Sequence, residues 1–304
     1  MRKRISEQNT FPNFNLFNEY QKIERYLSDI NVVDVKNIWL TGEVYYTCLG
    51  TIEALAALKF LTWNLRGTFL SIEEMRCGLG IDKQTLNNKE IKPDKILDYL
   101  QFAINCLHRA VEIVEESEGK YIFQNNDYIP ALHENIQQLL SVLNARCELE
   151  ENADGTQEAV VIYNNSLADE VAEKHPDVTR SIYEYRHIDN RGNLQRKGEI
   201  LCTLAKDIEP HVKTLKDSIY GSLIKDTEFL WNSIGARHNI ELDKGNSVFA
   251  HMNEEELETW YDKAFELYLL SKYAIPSLDI MREIKKNKAK LNRQFTIHKS
   301  KVRE

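Results

Sequence analysis

The chain has 304 residues, 42% of them hydrophobic, with only 12 Gly and 6 Pro, and carries 39 Lys and Arg against 47 Asp and Glu for a formal net charge of -8. That length exceeds the roughly 100 to 200 residues of an ordinary domain, so it accommodates two domains or one elaborated helical domain. The composition excludes a disordered or linker-like chain, suits packed helices better than sandwiches, and its acidic balance excludes general attraction to a phosphate backbone.

The charge is uneven. Residues 282 to 304 hold nine Lys or Arg against Glu283 and Glu304, which makes this tail +7 and leaves -15 on the rest of the chain. Any nucleic-acid contact should therefore be local, through the tail or a focused cleft. Five cysteines (Cys48, Cys77, Cys106, Cys147, Cys202) are widely spaced, odd in number and free of a C-x-x-C pair. They argue against a disulfide framework and a zinc knuckle, and read as reduced, mostly buried thiols. The opening MRKRISEQNTFPNF has no apolar stretch behind its basic residues, and no later run reaches the ~20 apolar residues of a membrane span. The expectation is a cytoplasmic protein with no membrane partner.

In chain order, Leu16, Tyr20, Ile23 and Leu27 recur at helical intervals and predict a first amphipathic helix. From Val35 to Leu65 the chain is at its most apolar. Ile38, Trp39, Val44, Leu49, Leu55, Leu58 and Leu61 fall on shifting faces, as expected of one or two largely buried helices forming the core of the N-terminal half. Ser71-Ile-Glu-Glu spells a capping box, followed by Gly78, Gly80 and an Asn-rich turn. Pro93 can open a long helix through Ile96, Leu100, Ile104, Leu107 and Val111 to about Glu118. Cys106 and His108 within it, two residues apart, face different sides and read as core residues.

Another helix runs from about Pro130 to Leu143. Asp154-Gly155 then lies between Cys147-Glu-Leu-Glu and Ala159-Val-Val-Ile-Tyr, the spelling of a small hairpin. Helices resume after Ser166 and continue past Pro176, and Pro210 and Pro276 are expected to kink or divide their helices. The predicted fold class is all-α: helical bundle domains with one small β-hairpin near the middle. The domain reading is residues 1–146, a helical domain of unassigned function; 147–165, hairpin or linker; and 166–304, a bundle of four or five helices with a basic tail.

The most distinctive text is Thr227-Glu-Phe-Leu-Trp-Asn-Ser-Ile-Gly-Ala-Arg-His-Asn-Ile-Glu241, where an aromatic-faced helix meets Gly235 and then Arg237-His238-Asn239. His transfers protons near neutral pH and Arg matches a phosphate, a pairing suited to metal-independent RNA cleavage. The bland alternative is equally open: Gly235 caps a helix, and Arg or His just past its end answers the dipole. Adjacent helical residues point ~100° apart, so Arg237 and His238 converge on one phosphate only if the backbone leaves the helix there. A second pair, Arg180 and His187, is separated by six residues; here Arg180 reads as part of a solvated face. Glu254-Glu255-Glu256 reads as a capping first turn. No P-loop, dinucleotide glycine motif, H-E-x-x-H or G-x-S-x-G occurs, which removes the classes those motifs mark.

Residues 160 to about 275 resemble the HEPN-like proteins of bacterial abortive-infection and toxin–antitoxin systems. The residues that carry the resemblance are Trp231-Asn232, Arg237-His238-Asn239, Glu241 and Leu257-Glu258-Thr259-Trp260-Tyr261-Asp262, with Tyr185, Gly192-Asn-Leu-Gln-Arg-Lys197, Ile200 to Ala205 and Glu209-Pro210 upstream. The Arg237-His238 pair departs from the wider Arg-to-His spacing usual in HEPN ribonucleases. The resemblance implies a helical bundle, an antiphage defence or toxin-type role, RNA as partner and a homodimer. It implies no cofactor and no metal. In the catalytic form, an endoribonuclease, His238 would act as general acid or base on the ribose 2′-hydroxyl and Arg237 would stabilise charge on phosphorus, with Asn239 and Glu241 orienting them. The alternative is a non-catalytic interaction or regulatory subunit bound to a partner protein of a defence complex.

Overall fold

The structure, a computed structural model, describes residues 15–38, 43–87, 91–152, 155–234 and 251–301. The chain is mainly α-helical with two small antiparallel sheets. It divides into two compact units, the first ending at Asn164 and the second beginning at Asn165.

In the first unit, α1 (Leu16–Asp29) begins where the Asn15 side chain accepts from the N–H groups of Phe17 at 2.9 Å and Asn18 at 3.4 Å. Its buried face is Tyr20, Ile23 and Leu27, the residues that set its period. The apolar stretch that follows is not helical as expected. It forms β1 (Asn31–Ile38) and β2 (Glu43–Thr51), paired in antiparallel register from Asn31↔Thr51 to Ile38↔Glu43, and only α2 (Ile52–Leu58) is a helix. The physical reason is local. Val-Val-x-Val and Val-Tyr-Tyr-Thr are β-branched and aromatic runs without a 3.6 period, and such residues fit a pleated surface. The stretch joins the core only in part: Ile52, Leu55, Ala56, Phe60 and Trp63 are buried, whereas Val44, Leu49, Leu58 and Leu61 are exposed, and Trp39 lies outside the described residues.

After two 3-10 turns come α3 (Ile72–Leu79) and α4 (Lys83–Leu86). Ser71 Oγ accepts from Glu74 N at 3.1 Å, Glu74 Oε2 accepts from Leu70 N at 2.8 Å, and Gly80 closes α3 at φ 66. The long α5 (Pro93–Glu116) opens on its proline and buries Ile96, Leu97, Leu100, Ile104 and Leu107. Strand β3 (Tyr121–Phe123) completes a sheet ordered β2-β1-β3. Helix α6 (Tyr128–Val142) then leads to the hairpin of β4 (Ala145–Glu151) and β5 (Gln157–Tyr163), with Cys147 opposite Val161.

Buried amides on α5 complete the hydrogen bonding of β5. Asn105 Nδ2 donates to the Ala159 carbonyl at 2.7 Å, the Ala159 N–H donates to Asn105 Oδ1 at 2.9 Å, and the Val161 N–H donates to Gln101 Oε1 at 2.6 Å. Two amide side chains thus satisfy backbone groups that a missing strand would otherwise leave buried and unpaired. All five cysteines are free, but only Cys106 and Cys202 are buried. Cys48 and Cys77 are exposed, so the mostly buried thiols read from the sequence are corrected, Cys48 because it lies on the exposed β2.

The second unit is a bundle of α7 (Ser166–Lys174), α8 (Thr179–Arg186), α9 (Leu194–Ile208), α10 (Val212–Lys216), α11 (Gly221–Ser233) and α12 (Glu254–Lys301). Its core includes Val171, Ile182, Leu201, Leu204, Trp231 and Tyr268. Pro210 falls in a 3-10 turn that separates α9 from α10, as its missing N–H requires. Pro276 does not divide α12, which runs unbroken through it for 48 residues, about 72 Å at 1.5 Å per residue. Burial of Ser271, Lys272, Ala274 and Leu278 anchors the helix on both sides of that proline. Asn253 Oδ1 accepts from Glu256 N at 2.8 Å while Glu256 Oε2 accepts from Asn253 N at 3.2 Å, so the acidic first turn is a reciprocal cap.

Candidate functional site

Arg237, His238, Asn239 and Glu241 lie outside the described residues. What the structure does describe is what borders them. Helix α11 ends at Ser233 with Leu230, Trp231 and Ile234 buried, and α12 begins at Glu254 and packs along both α11 and α9. The stretch that carries the four residues is thus joined at both ends to elements of one core.

The other residues that carry the resemblance do meet. Glu258 and Asp262, four apart and so on one face of α12, reach Lys197 of α9: its Nζ is 2.8 Å from Glu258 Oε1 and 2.8 Å from Asp262 Oδ1. The Tyr185 hydroxyl of α8 donates to the same Asp262 oxygen at 2.9 Å, and the Gly192 N–H donates to Glu258 Oε1 at 2.8 Å. The Tyr185 ring stacks on Phe265 with centroids 4.2 Å apart, and the Lys197 ammonium lies 5.1 Å from the same ring. Gly198, in the next position of α9, leaves room for the Tyr261 ring. Segments from residue 185 to residue 262 therefore converge on one charge cluster.

Its electrostatics are those of a clamp. Burial raises the Glu258 carboxyl, but the Lys197 hydrogen bond, the Gly192 N–H and the Lys197 charge together hold it below the ordinary carboxylate value. Burial, followed by the charge of Asp262, pushes the Tyr185 hydroxyl well above its ordinary value, so it stays a donor. The side chain of Lys197 is 8% exposed and engaged by both carboxylates. The cluster fixes the first turns of α12 against α8 and α9.

Arg180 and His187 are not brought together. Arg180 is exposed early in α8 and His187 lies half-buried just past its end, about 10 Å further along the axis at 1.5 Å per residue. The buried arginine is their neighbour Arg186, 2.6 Å from Asp169. A second polar cluster escaped sequence reasoning. Lys272 Nζ lies 2.8 and 2.7 Å from the two carboxylate oxygens of Asp207, and the Tyr268 hydroxyl donates to Asp207 Oδ2 at 3.0 Å. The signal was present, because Lys272 continues the buried stripe Tyr261, Phe265, Tyr268 at helical spacing.

Cys106 is buried in α5 and His108 stacks at 6.2 Å on His133 of α6, so the two point to different neighbours. Among the described residues no group of three or more His, Cys, Asp or Glu is placed to hold a metal ion, and no helix is long and apolar enough to cross a membrane. Comparison of the chain with family models, with curated proteins and with solved structures returned no match.

Proposed function

We propose that the protein is a HEPN-like member of the bacterial antiphage-defence or toxin-type class, and that its C-terminal bundle acts on RNA through Arg237 and His238. One observation supports this above others: Tyr185, the 192–197 turn and Glu258 with Asp262, remote in sequence and all among the residues that carry the resemblance, meet in one clamp beside the helix that leaves the Arg-His-Asn stretch. In this reading His238 exchanges the proton of the ribose 2′-hydroxyl, Arg237 stabilises charge developing on phosphorus, and Asn239 and Glu241 orient them. No metal enters the step.

The alternative, a non-catalytic interaction subunit, is favoured by the exposed Val44, Tyr45, Tyr46 and Leu49 of β2, an apolar strand of the kind a partner protein covers. Induction of the wild type and of His238→Ala in a bacterial host, with total RNA followed in parallel, separates the two. The ribonuclease reading expects growth arrest and cleaved RNA with the wild type and neither with a folded His238→Ala protein. Equal effects from both proteins would remove His238 from the chemistry.

A further inference from the structure

Helix α12 outruns the bundle that holds it. Among its described side chains the last buried one is Leu278, and every side chain from Arg282 to Lys288 is exposed, while the helix continues to Lys301. Between residues 282 and 301 the sequence places eight Lys or Arg and one Glu. A helix with no core to join, carrying this charge on a chain that is otherwise -15, is not explained by folding.

We infer that the projecting part of α12 is an RNA-backbone binding arm. Twenty residues of helix span about 30 Å, so its eight cations recur roughly every 4 Å, close to the ~3.4 Å spacing of phosphates along one strand of a duplex. That match in linear charge density is what a polyanionic strand requires and what a single acidic side chain or a small anion does not. A membrane surface fits less well. Among the described residues beyond Leu278 the exposed large apolar side chains are Ile280 and Ile284, each 59% exposed, and Lys288 separates them along the helix from Leu291 and Phe295, so cations interrupt the apolar stripe that an interfacial helix needs unbroken. The acidic remainder of the chain repels RNA, so the arm carries most of the long-range attraction and its partial neutralisation weakens binding and lowers its salt dependence. The inference rests on the reading of the chain as RNA-directed but uses none of the residues proposed for cleavage.

The test uses the full chain and a fluorescently labelled 20-nucleotide RNA, single-stranded and as duplex, titrated over a range of salt concentrations. The variant is Arg282→Gln with Lys285→Gln, Lys286→Gln and Lys288→Gln, all exposed and beyond the last buried residue, with circular dichroism as a check on the fold. The expected result is a loss of affinity of at least about tenfold near physiological salt, with the slope of log Kd against log salt reduced by roughly 2 to 4, at about 0.7 to 0.9 for each phosphate no longer neutralised. Equal affinity and slope for variant and wild type would overturn the arm while leaving the RNA reading intact. Binding of the wild type to vesicles containing phosphatidylserine and not to RNA would overturn it in favour of a membrane surface. If His238→Ala cleaves RNA as the wild type does, the proposed chemistry fails, and the arm is still judged separately by the binding of the Arg282, Lys285, Lys286 and Lys288 variant.

Discussion

Lys197 sits where two carboxylates of one helix face, Glu258 and Asp262, would otherwise repel each other, and it touches both at 2.8 Å. Replacing it with Met keeps much of the side-chain volume and removes the charge, so a partly buried Glu258 loses its partner. Removing one member of a buried pair costs about 3 to 5 kcal/mol, and because Asp262 is half exposed the loss expected for Lys197→Met at pH 7 is nearer ~2 kcal/mol. The pH dependence separates charge from packing. A carboxyl held below its ordinary value, as Glu258 is, lends stability that is fully present above the unfolded pKa of about 4.3 and is lost as pH falls through the folded value. The wild type should therefore lose this contribution below about pH 4, and the penalty of Lys197→Met should shrink there. Urea unfolding at pH 7 and at about pH 3.5 reads both quantities, and a penalty equal at the two pH values would assign Lys197 to packing alone. The Arg237–Glu241 stretch is displayed plainly by the sequence, whereas the clamp was not legible there, because its members lie up to 77 positions apart and spacing shows only the Glu258–Asp262 step.

At the scale of elements, legibility followed the period of burial. Helix α1 has one apolar face behind the Asn15 cap, α5 opens on Pro93, and the periods of α5 and α6 mark both within a few residues. The hairpin of β4 and β5 was signalled by Asp154-Gly155 between β-prone runs. Strands β1 and β2 were not, because Asp34, Lys36 and Glu43 interrupt the apolar stretch without setting a clean period, and short apolar runs are equally consistent with a buried helix. The short strand β3 pairs with β1 across a long separation in sequence, a contact that no local pattern encodes. Asn105 and Gln101 look like flaws on an apolar helix face until β5 is in place to use them. Of the kink or division expected at Pro276, the division does not occur, since local propensity favours a break and tertiary burial overrides it. The override has a cost that can be measured. Pro276→Ala restores an N–H to the Lys272 carbonyl and relieves the ring's clash with it, so the variant should be stabilised by about 1 to 3 kcal/mol. Unchanged or lowered stability in denaturant titration would mean that a bend at Pro276 is needed for the packing of Ala274 and Leu278.

At the scale of the whole molecule, the chain is two bodies with separate cores. The first is built on Tyr20, Ile23, Leu100, Ile104, Ile136 and Leu140, and the second on Ile182, Leu201, Leu204, Trp231, Tyr268 and Leu269. The division between Asn164 and Asn165 yields pieces of 164 and 140 residues, each within the ordinary range for a domain that folds alone. Charge is partitioned as well, since the basic tail belongs to the second piece and leaves the acidic excess on the rest. A chain cut between Asn164 and Asn165 should therefore give two fragments that each melt cooperatively, the second being purely helical in its described residues and the first also containing strand. Circular dichroism and calorimetry on the separate fragments check this. A second fragment that melts without cooperativity would mean that its clamp and core depend on the N-terminal unit, whereas two cooperative transitions would license assigning RNA binding to the 165–304 fragment by direct titration.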